Sequence, residues 1–168
     1  LDGLDLALVE FNFIKNKWDY RFISTITKPY DSLWVEKLSK ARFLSEEGLL
    51  SLDNEYTNYL ANQVQFFIDQ NTSYKIDLIC SHGHTVHHQP DKGITVQIGN
   101  QSRLSVELRK TVVCDFRVQD VALGGQGAPL VPGGDFYLFS NYTACVNLGG
   151  FANITLIKKK EKLLAFDI

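Results

Sequence analysis

Short apolar runs that end in glycine or a polar residue, separated by stretches of helical spacing, constrain this chain more than any other feature. Ile76–Cys80, Ile94–Ile98, Thr111–Cys114, Ala144–Leu148, Asn153–Ile157 and Lys162–Phe166 each read as a short strand. Between Ser45 and Gln70 the apolar residues Leu49, Leu52, Tyr56, Tyr59, Leu60, Val64 and Phe67 recur three or four apart, which predicts a helix. Ser45 ahead of Glu46 and Glu47 suits its N-terminus, where a side-chain acceptor and negative charge are both favourable. Ser32–Lys40 and Ser102–Lys110 predict shorter helices. At the start, residues 4–14 predict a strand that turns at Lys15-Asn16-Lys17 into a second, Tyr20–Thr27, ended by Pro29. Helices interleaved with strands predict an α/β layered fold.

Two segments resist regular structure. Gly124-Gly125-Gln126-Gly127-Ala128-Pro129 carries three glycines in four positions and must be loop. Ser81–Asp91 is polar, holds all four histidines and includes Pro90, so it is expected as a loop at the C-terminal end of a strand. A glycine-bearing turn also feeds a hairpin twice, at Gly3 (turn Lys15-Asn16-Lys17) and at Gly149-Gly150 (turn Lys158-Lys159-Lys160). Either two related halves or two ordinary hairpins account for this echo.

Composition narrows the partners. The 168 residues suffice for one domain, or one domain and part of another, and 45% hydrophobic against 21% charged residues excludes a disordered chain. No apolar run approaches the roughly 18 residues a membrane span needs, so no membrane partner is expected. Lys plus Arg number 17 against 19 acidic residues, leaving no basic field for nucleic acid. Cys80, Cys114 and Cys145 lie in apolar stretches without a CxxC pair and are expected as buried, reduced thiols of a cytoplasmic protein. Leu1-Asp2-Gly3 reads as half a turn and Leu163–Ile168 as a strand with nothing after it, so the chain is expected to be a fragment.

Four polar segments lie at strand ends, where α/β proteins bind ligands. Leu1-Asp2-Gly3 with Asp5 is either a plain turn or a place for Mg²⁺ beside a phosphate. Ser81–His88 is a zinc site through His82, His84, His87 and His88, a sugar-binding loop, or a solvated loop. Asp115-Phe116-Arg117 with Asp120 either grips a polyhydroxylated ligand or braces the adjacent glycine loop. Asn147-Leu148-Gly149-Gly150 allows backbone N–H groups to approach an anion, and it is neither a P-loop nor a GxGxxG site. Asp167 closes an apolar strand, as a general base or as a cap for the next element.

Taken together, these segments resemble the anhydro-N-acetylmuramic acid kinase family. The resemblance rests on Leu1-Asp2-Gly3-Leu4-Asp5, Ser81–His87, Thr95-Val96-Gln97-Ile98-Gly99, Asp115-Phe116-Arg117 with Asp120, Gly124–Pro132, Asn147–Asn153 and Phe166-Asp167. They occur in family order over nearly the whole chain, and Gly-Gly-Gln-Gly-Ala-Pro-Leu-Val-Pro is the most specific of them.

The resemblance implies the fold of the sugar kinase, actin and Hsp70 ATPases: ribonuclease-H-like domains, each a mixed sheet flanked by helices, with ATP and sugar in the cleft. Residues 1–140 would be the first domain, with its first phosphate loop largely missing, and residues 141–168 the first strands of the second. It further implies ATP-dependent cleavage of the 1,6-anhydro bond of a recycled peptidoglycan sugar with phosphorylation of O6. Asp167 matches the catalytic base. Leu1, Asp2, Gly3 and Leu4 match the tail of one phosphate loop, and Asn147, Gly149 and Gly150 the other. His82, Gly83, Thr85, Arg117 and Asp120 fall on the sugar side. ATP and Mg²⁺ are the implied cofactors, no protein-bound metal site is assigned, and a homodimer is a possible assembly.

This chain departs from the family pattern in places. The family's Gly-Thr-Ser phosphate turn would precede Leu1, and a Gly-Pro-rich loop would come after Asp167. His84 stands where many members carry Gln, and Gln119 where some carry Arg. The competing readings are a non-catalytic sugar- or nucleotide-binding module and a zinc protein.

Overall fold

Ser45 begins the longest helix as its side chain suggests, its Oγ accepting the Gly48 N–H at 3.2 Å. The computed structural model describes residues 1–149, 152–158 and 162–168. It opens with strands β1 (Gly3–Ile14) and β2 (Lys17–Pro29), joined at Lys15 and Asn16, both with positive φ as a two-residue hairpin turn requires. Helix α1 (Ser32–Lys40), capped by Asp31, and a 3₁₀ turn lead into α2 (Glu46–Asp69). Next come β3 (Leu78–Cys80), β4 (His84–Gln89), β5 (Ile94–Ile98), α3 (Arg103–Leu108), β6 (Thr111–Val113), α4 (Phe116–Ala122) and α5 (Pro132–Leu138). Strands β7 (Ala144–Leu148), β8 (Ala152–Lys158) and β9 (Lys162–Asp167) close the chain.

The class is mixed α/β. Among the described residues the strands group into four small sheets: β1–β2, the parallel pair β3–β6, β4–β5, and the antiparallel meander β7–β8–β9. The parallel and antiparallel pairings thus occur in separate ladders. The helix face read from the sequence is the core. Leu52, Tyr56, Leu60 and Ala61 of α2 meet Leu38 and Ala41 on one side, and Ile98, Leu104 and Leu108 on the other. Burying each leucine is worth roughly 1.5–3 kcal/mol.

Three expectations need correction. His84–Gln89 is a strand, not loop, because each polar residue finds a ladder partner on β5, with a bulge between Thr85 and His87. Asp115-Phe116-Arg117, expected as the end of the strand that begins at Thr111, is not extended: Asp115 is left-handed at φ 60° and Phe116 onward is helix. The cysteines are not uniformly buried: Cys80 is exposed, while Cys114 and Cys145 are half-buried. The Gly124–Pro129 loop and both hairpins stand as expected. Gly150, Phe151, Lys159 and Lys160, which belong to the second glycine turn and hairpin, lie outside the described residues.

Candidate active site

The C-terminal ends of β3, β5 and β6 are tied together by one side chain, Asn100. Its Oδ1 accepts from Ser81 Oγ at 2.8 Å, and its Nδ2 donates to the His82 carbonyl at 3.1 Å and the Asp115 carboxylate at 3.5 Å. Gly83, at φ +71°, lets the chain pass so close to the Ile98 carbonyl that any side chain would collide with it. Loops 81–83, 99–100 and 114–115 are thereby one unit, at the strand ends where an α/β fold collects ligand groups. Sequence reasoning missed Asn100; a Gly-Asn pair directly after β5 was its signal.

Helix α4 builds on this platform. Arg117 and Asp120 lie three apart, hence on one helical face. The Arg117 Nε donates to His82 Nε2 at 2.7 Å, and its Nη1 to the Gly127 carbonyl at 2.5 Å. Asp120 Oδ2 accepts the Gly127 N–H at 2.7 Å, and its carbonyl accepts the Gly125 N–H at 2.8 Å. Gly127, buried at φ +67°, is therefore held on both its N–H and its C=O. Arg117 and Asp120 brace the glycine loop rather than pairing with each other, and burial lowers the Arg117 pKa from its usual value.

Beside this brace lies a hollow of about 370 Å³. Gln119 and Asp120 supply polar side chains to it, and Phe116, Leu123, Pro129 and Leu130 supply apolar ones. Thr85 stands apart on β4, its Oγ1 accepting from Gln97 Nε2 at 3.3 Å.

The histidines diverge. His82 meets Arg117, His84 packs edge-on against Tyr56 at 6.1 Å, and His88 Nδ1 lies 3.2 Å from Thr95 Oγ1. Among the described residues no three His, Cys, Asp or Glu side chains gather in a way that could hold a metal ion.

The remaining predicted residues lie on two hairpins. Leu1 and Asp2 are exposed, the Asp2 carbonyl accepts the Tyr30 N–H at 3.2 Å, and Leu4 turns its side chain to the core. Gly3 fits where a side chain would strike the Lys28 carbonyl. Asn147, Gly149 and Asp167 are exposed, with Asn147 and Asp167 both opposite Asn153 in the β7–β8–β9 ladder. Among the described residues no hydrogen bond links Asp167 to the Arg117 network, and Asp167 does not line the hollow beside it. The connection is α5: its first residues, Pro132 and Gly133, line the hollow, and the helix packs on β8 and β9.

A family model described as anhydro-N-acetylmuramic acid kinase matches residues 1–168. The chain belongs to the anhydro-N-acetylmuramic acid kinase family. A Pseudomonas putida protein of that name is 49% identical over 183 residues, covering 99% of this chain and 47% of the relative. One from Pseudomonas fluorescens is 38% identical with the same coverage, and one from Methylobacterium nodulans is 48% identical over 71% of this chain and 34% of its own length. The chain thus spans about half the length of the Pseudomonas relatives. Among the described residues no helix is long and apolar enough to cross a membrane.

Proposed function

We propose that these residues form the first half of an ATP-dependent kinase that opens the 1,6-anhydro bond of 1,6-anhydro-N-acetylmuramic acid and phosphorylates the freed O6. The reading rests on one observation above all: in a chain of this family, Arg117 and Asp120 both hold the glycine loop at the strand ends, Arg117 also reaching His82, beside a hollow of mixed polarity. Such a wall suits a sugar, whose hydroxyls take hydrogen bonds and whose ring carbons take apolar contact. His82, Gly83, Arg117 and Asp120 belong to this sugar side, and Thr85 would join it only from its separate place on β4. Residues 1–140 then form a ribonuclease-H-like domain and residues 141–168 begin a second.

In this reading Asp167 takes a proton from a water as its oxygen bonds to the anomeric carbon. The bond from that carbon to the bridging oxygen breaks, and O6 is released to attack the γ-phosphorus of ATP, with ADP leaving. Backbone N–H groups at Leu1–Leu4 and at Asn147–Gly150 receive the phosphates. A Mg²⁺ would be held chiefly by phosphate oxygens, with the exposed Asp2 carboxylate as a protein group able to ligate it. Mg²⁺ would supply charge stabilisation to the transferring phosphoryl group. The products are ADP and N-acetylmuramic acid 6-phosphate, which assigns the reaction to recycling of cell-wall sugar in the cytoplasm, where ATP is available.

Release of ADP by the complete enzyme tests this. It should depend on the anhydro-sugar, and the 168 residues alone should give none. Sugar binding without turnover by the complete protein would instead identify a non-catalytic binding module.

A further inference from the structure

One half-buried carboxamide just after β5, that of Asn100, engages two other loops at once, and both of its polar atoms are used. The partners fix which way it faces. The His82 carbonyl and the Asp115 carboxylate only accept, so the atom beside both of them, 3.1 Å and 3.5 Å away, is the amide nitrogen. The Ser81 hydroxyl then donates to Oδ1 at 2.8 Å. On the main chain, the Asn100 carbonyl takes a weak bond from the Cys114 thiol at 3.9 Å, which keeps the residue against the end of β6.

These contacts bear on the Arg117–His82 bond from both of its ends. On one side, the donation to the His82 carbonyl holds the main chain of loop 81–83. The His82 ring is turned by its own Nδ1, which donates to the Gly83 carbonyl at 2.9 Å and leaves Nε2 bare to accept from Arg117. On the other side, Asp115 directly precedes α4, and its carbonyl accepts the Gln119 N–H at 3.0 Å. The position of Asp115 therefore sets where the helix carrying Arg117 begins. Asp115 is also a non-glycine residue at positive φ, a conformation kept where neighbours hold it.

We infer that Asn100 is a positioning residue of the sugar side: one amide sets both the loop that carries His82 and the start of the helix that carries Arg117, so that the two side chains meet. This rests on the reading of His82 and Arg117 as sugar-side residues. Asn100 acts through them, not on the sugar itself. Without its two donations, each end of the clasp keeps only its own local bonds, and the planar guanidinium no longer finds the imidazole and the glycine loop together.

The test is steady-state kinetics of the complete enzyme with Asn100→Ala and Asn100→Asp, each alone and combined with Arg117→Ala. Asn100→Asp keeps the size and the acceptor for Ser81 and removes both donations, so it poses the question even if the alanine variant does not fold. Each single variant should raise the KM for the anhydro-sugar about tenfold, with kcat and the KM for ATP within about twofold of the parent. Once Arg117 is replaced by alanine, the same changes at Asn100 should raise the sugar KM by less than about twofold more, because the clasp they act through is already gone. A sugar KM unmoved by Asn100→Asp, an equal rise in the KM for ATP, or a rise that multiplies in full with that of Arg117→Ala overturns the proposal. A sugar KM unmoved by Arg117→Ala itself overturns instead the reading of the sugar side on which it rests.

Discussion

Arg117 Nε lies 2.7 Å from His82 Nε2, so a helix that comes after β6 is bonded to a loop that comes after β3. Because the guanidinium always donates, the bond exists only while that imidazole nitrogen carries no proton. The same guanidinium holds the Gly127 carbonyl, which makes it the clasp between the Ser81–His87 segment and the glycine loop.

Arg117→Ala should therefore open the sugar side. Losing bonds made by a charged group costs about 1.5–3 kcal/mol, so the KM for the anhydro-sugar should rise about 10- to 100-fold. Arg117→Lys should recover only part of it, because an ammonium does not reproduce the planar fork that reaches His82 and Gly127 together. Steady-state kinetics of the complete enzyme read this directly, and a KM unchanged by Arg117→Ala would remove Arg117 from the sugar side.

Asp53 plays a comparable part in stability. From the middle of α2 its carboxylate accepts the Gly99 N–H at 2.6 Å and the Gln101 Nε2 at 2.9 Å, pinning the turn after β5. Gly99 is itself buried, so Asp53→Ala leaves its N–H unpaired. The expected loss is about 2 kcal/mol, or a fall of roughly 4–8 °C in Tm by thermal melting. A Tm within a degree or so of the parent would show that the turn holds without it.

Burial holds the His84 imidazole below its ordinary value, helped by His82. The unfolded imidazole, near 6.5, therefore takes up a proton before the folded one. Stability should fall as pH drops below that value and continue falling to the lower folded-state value. His84→Gln removes the differential. Comparing urea midpoints at about pH 7.5 and about pH 5.5, the parent should lose more stability than the variant. Equal losses would contradict it.

Legibility in the sequence runs along physical lines. The helix from Ser45 was readable because its cap and its apolar stripe agree, and the first hairpin because Lys15-Asn16 interrupts two β-rich runs. Strand β4 was not, because His84–Gln89 contains one aliphatic residue, Val86, and its pairing comes from β5 rather than from its own pattern. Helices α4 and α5 are seven residues each, too short for periodicity to emerge. At the site, Arg117, His82 and Asp120 were readable as residue types at strand ends. That Arg117 and Asp120 meet on Gly127, with Arg117 also reaching His82, depends on a loop whose path no local pattern encodes.

The central claim is that Asp167 activates the water that opens the anhydro ring. The measurement is turnover and sugar binding by the complete enzyme carrying Asp167→Asn, a change that preserves size and removes the base. The account predicts that sugar-dependent ADP release disappears while the sugar still binds with near-parent affinity by calorimetry. Parent-like rates in that variant would place the base elsewhere.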